Sequence, residues 1–262
     1  MELGLDGTAV LITGAAGGIG SATARALAAE GVKVGVHYHS SAAAAERLAA
    51  EIGGVPLQAD LRDEAAADAL VPSAVEALGR LDGCVANAGT WDPEDVPIAR
   101  MPVERWRKTI EDNVTATFLT ARAYMRHVEA TSTGSLVLVG STSGIFGEAG
   151  HADYSAAKGA MTAGLLPTLK NEMVHIAPEG RVNLVAPGWT VTPMTEHELT
   201  RETIERVTAT MALRKVATAE DVARAIVFLL SPLAASHVTG QVITVAGGME
   251  GRLLHPPGAP SR

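Results

Sequence analysis

The feature that most narrows the fold is an apolar run that breaks straight into glycines. Residues 8–13 read TAVLIT, and Gly14, Gly17, Gly18 and Gly20 follow within seven residues. A short run without polar alternation is what a strand buried on both faces requires. The Ala-rich stretch 21–30, ended by Gly31, reads as the helix that follows. Glycines at such a strand-to-helix turn let the backbone reverse tightly and approach an anion, and a helix N-terminus favours a pyrophosphate. Four glycines in so short a stretch cost conformational entropy, which disfavours a merely flexible turn. The spacing is GxxxGxG rather than GxGxxG.

The same alternation continues along the chain. Strands are predicted at 32–37, 55–59, 81–86, 135–140, 181–186 and 242–245. Helices are predicted from Ser40 or Ser41 to Ile52, and at 63–78, 102–128, 151–176 and 219–230. Strands alternating with helices imply right-handed crossovers and helices on both faces of a parallel sheet. The fold class is therefore α/β: a single-domain Rossmann fold with a doubly wound, seven-stranded parallel sheet. No linker or repeat interrupts it, so one domain is expected over 1–250. A polar insertion, about 190–212, and a Pro/Gly-containing tail, 251–262, complete the chain.

Composition excludes several classes. The net charge is −8 and no basic block occurs, which argues against nucleic acid. Only nine of 262 residues are aromatic while 47% are hydrophobic, so the core must be aliphatic. The single Cys84 cannot form an internal disulfide and reads as a small buried hydrophobe. No signal peptide and no apolar stretch of ~20 residues is seen, so a cytoplasmic protein outside the membrane is expected. No metal site is expected, since His197-Glu198 lacks the second His of HExxH.

Tyr154 and Lys158 stand four apart in a predicted helix, hence on one face. An ammonium beside a phenol favours its ionised form, so Tyr154 is expected to ionise below its usual pKa of ~10 and to exchange a proton with a substrate oxygen.

With the glycine turn, this pair makes the chain resemble the short-chain dehydrogenase/reductase family from residue 8 to 248. TGxxxGIG is Thr13 to Gly20, NAG is Asn87-Ala88-Gly89 (preceded by Ala86 where a second Asn is frequent), and YxxxK is Tyr154 and Lys158. Asn113 matches the family's catalytic Asn. Ser141, thirteen residues before Tyr154, matches its catalytic Ser, and Pro187-Gly188 with Thr192 its PG motif. The resemblance implies hydride transfer between a nicotinamide and a ketone or secondary alcohol. Ser141 would orient the carbonyl, Tyr154 would act as general acid or base, Lys158 would tune it and hold ribose, and Asn113 would position a water. Cofactor contacts are implied for Gly14, Ala16, Gly17, Gly18, Ile19 and Gly20; for Asp60 and Leu61; for Asn87, Ala88 and Gly89; and for Pro187, Gly188, Thr190 and Thr192. Local readings stand beside these: Asp60 as a helix cap, Asn113 as a locally bonded amide, Ser141 and Ser143 as turn formers, Asn87 as a structural hydrogen-bonder.

Tyr38 occupies the place of the ribose-binding acid, and His39, Ser40 and Ser41 follow. Without the acid that repels a 2′-phosphate, NADP(H) is expected over NAD(H); His37 and His39 can equally be packing or surface residues. Substrate contacts are expected from Ser141, Ser143, Trp91, Ile145, Phe146, His151, Trp189 and Met194. The nearest resemblance is to 3-oxoacyl carrier-protein reductases, but the acidic chain favours a free small-molecule carbonyl or alcohol over an acidic carrier. A sugar or polyol dehydrogenase, or a non-catalytic redox-sensing regulator, is the alternative. The family's habit implies a homotetramer or homodimer, with the two long helices and the stretches 225–230 and 243–248 in the contacts.

Overall fold

A computed structural model describes residues 2–249. Nine strands occur among them: β1 Ala9–Ile12, β2 Lys33–Tyr38, β3 Val55–Gln58, β4 Gly83–Ala86, β5 Ser135–Val139, β6 Arg181–Pro187, β7 Thr190–Val191, β8 Ala217–Thr218 and β9 Val242–Val245. Seven form one sheet in the order β3-β2-β1-β4-β5-β6-β9, and every pair is parallel. The expected α/β class and strand number are both found.

The continuous apolar runs are explained by burial on two faces. Leu11, Leu136, Leu138 and Leu184 point into one core, while Val10, Ile12, Val137, Val139 and Val185 point into the other. The first core is covered by helices Glu64–Leu78, Ala116–Thr131 and Leu166–Ile176, the second by Gly18–Ala29, Ala42–Ile52 and Ala219–Leu230. Leu11, Leu136 and Leu184 are fully buried, and truncating such a leucine to alanine costs roughly 2–5 kcal/mol. The strand order reverses between β1 and β4, with β2 and β3 added on one side and β5, β6 and β9 on the other, which opens a crevice at their C-terminal ends.

Several local expectations are corrected. Helix Gly18–Ala29 starts inside the glycine turn rather than after it. Ser41 occupies a cap position without a side-chain cap bond, whereas Asp63 caps its helix by accepting from Ala66 N at 2.8 Å. Both long helices, 103–131 and 152–176, contain a π turn, at Glu111–Thr115 and Ala160–Leu165. The polar insertion carries helix Arg201–Thr208, and β7 pairs with β8 beyond it. Within 225–230, Ile226, Val227, Leu229 and Leu230 belong to the monomer's core and are not surface for a partner. The tail 251–262, with residues 1 and 250, lies outside the described residues.

Cys84 is fully buried, and burial pushes its thiol up to about 12, which fits a packing role. Among the described residues no helix is long and apolar enough to cross a membrane, and no cluster of His, Cys, Asp or Glu could hold a metal.

Candidate active site

The glycine turn is built by three side chains from outside it. Gly14 has φ +63°, a left-handed conformation open to glycine, and its N–H donates to His37 Nδ1 at 3.0 Å. The proton of His37 is therefore on Nε2, which lies 3.2 Å from Ala59 O. Burial pushes His37 down to about 4, against the Ala59 bond and with some help from His39. This histidine ties β1, β2 and the end of β3 together. Asn87 Nδ2 donates to Thr13 O at 2.9 Å and Gly14 O at 3.2 Å, while Thr13 Oγ1 accepts from Asn87 N and Ala88 N. Asn87 thus carries the structural bonds that its local reading anticipated.

A Cβ at Gly20 would collide with Gly14 O and stand 2.8 Å from Ala15 Cα, so glycine is required for the helix to meet the turn. No side chain caps the helix that starts at Gly18, which leaves its first-turn N–H groups for an anion. Gly14, Gly17, Gly18, Ile19 and Gly20 line one end of a cleft of about 1220 Å³, its open mouth included. A pyrophosphate fits this cradle.

The expected adenosine end lies beyond the cleft lining. Tyr38 is half-buried at the end of β2, His39 and Ser40 are exposed, Ala16 packs partly on the core, and Leu61 is buried in the other core. Asp60 is gripped by Arg62, whose Nε and Nη2 reach its two oxygens at 2.9 and 2.8 Å, and His39 Nε2 is 3.6 Å from the same carboxylate. Arg62 holds Asp60 well below the usual carboxylate range. This arginine was missed in the sequence because it follows β3, while the specificity position follows β2.

Asn113, Ser141, Tyr154 and Lys158 line the same cleft, as do Gly89, Pro187, Gly188 and Thr190, while Ala88 and Thr192 line it beside the glycine turn. Lys158 is 4% exposed, donates to Val139 O at 3.1 Å, and is pushed by burial down to about 8. Asn113 sits in the first π turn, fully buried, and its Nδ2 donates to Thr90 O and to Thr109 O, both at 3.0 Å. Its Oδ1 has no partner. A Cβ at Gly89 would stand 2.5 Å from that oxygen and 3.4 Å from Lys158 Nζ, so the orphaned acceptor and the ammonium flank one small space.

Tyr154 departs from expectation. Burial pushes its phenol up to about 12; a hydrogen bond with Ser141 pulls it down, and Glu148 pushes it further up. Lys158 Nζ lies 5.6 Å from the ring centroid and does not lower it. Proximity in a helix does not outweigh desolvation here.

A buried network fixes the surroundings of Tyr154. Asp153, adjoining Tyr154 and 1% exposed, accepts from Arg105 Nε at 3.0 Å and Thr109 Oγ1 at 2.8 Å. Burial alone would raise its pKa, but those bonds and the Tyr154 N–H outweigh it and keep it low. Arg105 Nη1 also holds Glu94 O at 2.8 Å. The loop after β4, the helix of Asn113 and the helix of Tyr154 are thereby clamped together.

The expected substrate residues divide. Ser141, Ser143, Trp91, Trp189 and Met194 line the cleft. His151 is 2% exposed behind Trp91, stacked on it at 5.3 Å, and Trp189 meets Trp91 edge-on at 5.9 Å. Ile145 and Phe146 are exposed and outside the lining, a correction: they follow the turn of helix Ser143–Phe146, which packs Gly144 against the Lys158–Gly159 backbone. Glu148, not singled out in the sequence, does line the cleft. The insertion reaches back over the turn, where a Cβ on Gly18 would stand 2.6 Å from Thr192 Cβ.

Known proteins share this architecture. A family model described as enoyl-(acyl carrier protein) reductase matches residues 14–250. The chain is 38% identical to a 3-oxoacyl-[acyl-carrier-protein] reductase of Synechocystis sp., over 94% of this chain and 98% of that protein. It is also 38% identical to the cis-4-hydroxycyclohexanecarboxylate dehydrogenase of Sinomonas cyclohexanicum, over 91% and 94% respectively. The crystal structure of levodione reductase matches with a TM-score of 0.85 at 29% identity, covering 92% of this chain and 97% of that one. By this match across nearly its whole length, the chain belongs to the short-chain dehydrogenase/reductase family of oxidoreductases.

Proposed function

We propose that the protein is an NADP(H)-dependent ketoreductase that interconverts a free small-molecule ketone and its secondary alcohol. The observation that carries this reading is one cleft running from the glycine turn to Tyr154, with Ser141, Lys158 and Asn113 around it. The names of the three similar proteins, an oxoacyl reductase, a hydroxycyclohexanecarboxylate dehydrogenase and a levodione reductase, all speak of carbonyl or alcohol chemistry.

A nicotinamide dinucleotide, when bound, supplies or accepts the hydride. Gly14 to Gly20 would hold its pyrophosphate, and Lys158 would hold its ribose hydroxyls. Ser141 donates a hydrogen bond to the substrate oxygen and fixes its orientation. Tyr154 gives its phenolic proton to the oxygen in reduction and takes one back in oxidation. Asn113 Oδ1 holds a water within reach of Lys158 and so resupplies the proton.

The preference for the 2′-phosphate rests on Tyr38 standing where a repelling acid would be, and on Arg62 neutralising Asp60 beside His39. Comparing kcat/KM for NADPH and NADH tests it, and an NADH preference would refute it. For assembly, the apolar groove between the long helices, lined by Phe118, Met125, Leu165, Leu169 and Ile176, is the face offered to a second copy in a homotetramer or homodimer. Light scattering distinguishes these from a monomer. The assignment as a whole is tested by a screen of NADPH and NADH oxidation over cyclic ketones, β-keto esters, quinones and sugars. Turnover of none of them would refute it.

A further inference from the structure

The substrate half of the cleft holds one charge that the proposed chemistry does not use. Of the described residues lining the cleft, only Glu148 and Lys158 are charged. Lys158 is buried at the floor and already donates to Val139 O. Glu148 is half-buried and its backbone is anchored, since its N–H donates to Ser155 Oγ at 3.0 Å and its carbonyl accepts from His151 N at 3.1 Å. Ser155 Oγ in turn lies 3.0 Å from Ser143 Oγ. Its backbone is therefore tied directly to the helix that carries Tyr154.

Its carboxylate, by contrast, makes no hydrogen bond or ion pair among the described residues, and at half burial it still reaches solvent. The charged groups around it are His151 and Asp95 on one side, Arg206 of helix Arg201–Thr208 on the other, and the Tyr154 phenol. Burial pushes its pKa up, against the pull of His151 and Arg206 and with the help of Asp95. A half-buried carboxylate without a protein partner is open to a ligand donor in place of water. The same cleft carries the indole faces of Trp91 and Trp189, a flat apolar wall suited to a ring.

We propose that Glu148 is a specificity-determining residue that selects ring ketones bearing a hydrogen-bond donor, hydroxyl or ammonium, and rejects ring ketones bearing a carboxylate. The inference rests on the ketoreductase reading and adds the substrate class to it. The donor meets Glu148 while the ring lies on Trp91 and Trp189 and the carbonyl reaches Ser141 and Tyr154. A carboxylate at the same place meets like charge in a partly dry site, which is where such repulsion is strongest.

The test is run at pH 8 on enzyme saturated with NADPH, with which the alcohol probes cannot react. Two of the three tryptophans line the cleft, so ligand binding is read by quenching of their fluorescence. The probes are 4-aminocyclohexanol, cyclohexane-1,4-diol and 4-hydroxycyclohexanecarboxylate; the first two separate ammonium from hydroxyl. Wild type should bind at least one donor-bearing probe about tenfold or more tighter than the carboxylate, E148Q should compress that ratio to within about threefold, and E148K should invert it. Equal binding of all three by wild type, or an unchanged ratio in both variants, would overturn the proposal; circular dichroism verifies that each variant is folded. The matching ketones are then offered with NADPH and with NADH. A binding preference without turnover of any ketone defeats the ketoreductase reading and leaves the selectivity of the pocket standing, whereas turnover without the preference defeats only the role of Glu148.

Discussion

His37 Nδ1 accepts the backbone N–H of Gly14 at 3.0 Å, so the glycine turn after the first strand hangs on a side chain of the second. That bond needs a neutral imidazole with its proton on the other nitrogen, where Ala59 O lies 3.2 Å away.

The consequence is a pH dependence with a definite sign. The folded pKa is about 4 and the ordinary value 6.5, so above 6.5 both folded and unfolded chains hold His37 neutral. Between 6.5 and 4 the unfolded chain takes up the proton and the folded one does not, and stability falls by up to about 3 kcal/mol. Below 4 the folded chain protonates as well and the turn loses its acceptor. Thermal melts from pH 8 to 4 should show the fall. H37L should be less stable at pH 8, by roughly 1–3 kcal/mol for each buried group left unpaired, yet flatter across that window.

Tyr154→Phe should lower kcat by about 10²–10⁴-fold while cofactor affinity stays within about threefold, since the hydroxyl that exchanges the proton is removed and the ring stays. Stopped-flow turnover and cofactor titration together check both halves.

The pH profile of the free enzyme should be asymmetric. With the phenol near 12, the protonated form that reduction needs persists across the neutral range. Oxidation needs the phenolate, so its kcat/KM should climb from pH 7 toward 10. An oxidation optimum below pH 7 would contradict the role given to Tyr154.

Two glycines of the same turn should fail differently. G20A places a methyl against the backbone of Gly14 and Ala15, which cannot yield, and should cost about 1–3 kcal/mol of stability together with cofactor binding. G18A meets the Thr192 side chain instead and should shift the insertion, raising KM for substrate more than it lowers Tm. Melts and KM values for both variants discriminate the two effects.

Asp153→Leu leaves the mostly buried Arg105 with only Asp92, 3.9 Å away, as a counter-charge, and should cost about 3 kcal/mol. The double variant R105M/D153L should recover much of that loss, because the stranded charge is gone. A double-mutant cycle by denaturant unfolding gives the coupling.

Much of this was legible beforehand, for physical reasons. Strands covered on both faces must be apolar throughout, so TAVLIT and SLVLVG marked β1 and β5 without any partner being known. Tyr154, Lys158, Ser141 and Asn113 stood out by their order and spacing. What stayed hidden depends on neighbours far apart in the chain. His37 acts through parallel register, which brings the ends of β1, β2 and β3 together. His39 and Arg62 converge on Asp60 only because β2 and β3 are adjacent. Glu148 looks in the sequence like any acid in a loop, and only folding turns it into the cleft. The Tyr154 pKa was misjudged because spacing reports the distance to an ammonium and not the loss of water around the phenol.

The two π turns lie at Asn113 and just after Lys158. Each amounts to one residue more than an α-helix would use, and one residue is about 100° of rotation. The widened turn absorbs that extra residue, so the two flanking segments keep a common face while the sequence pattern slips by one position between them. Deleting a single residue within 111–115 or 160–165 would therefore close the turn into ordinary α-helix with both flanks still in phase. What such a deletion would destroy is the local widening of the backbone at Asn113 and just beyond Lys158, and not the helix or its packing.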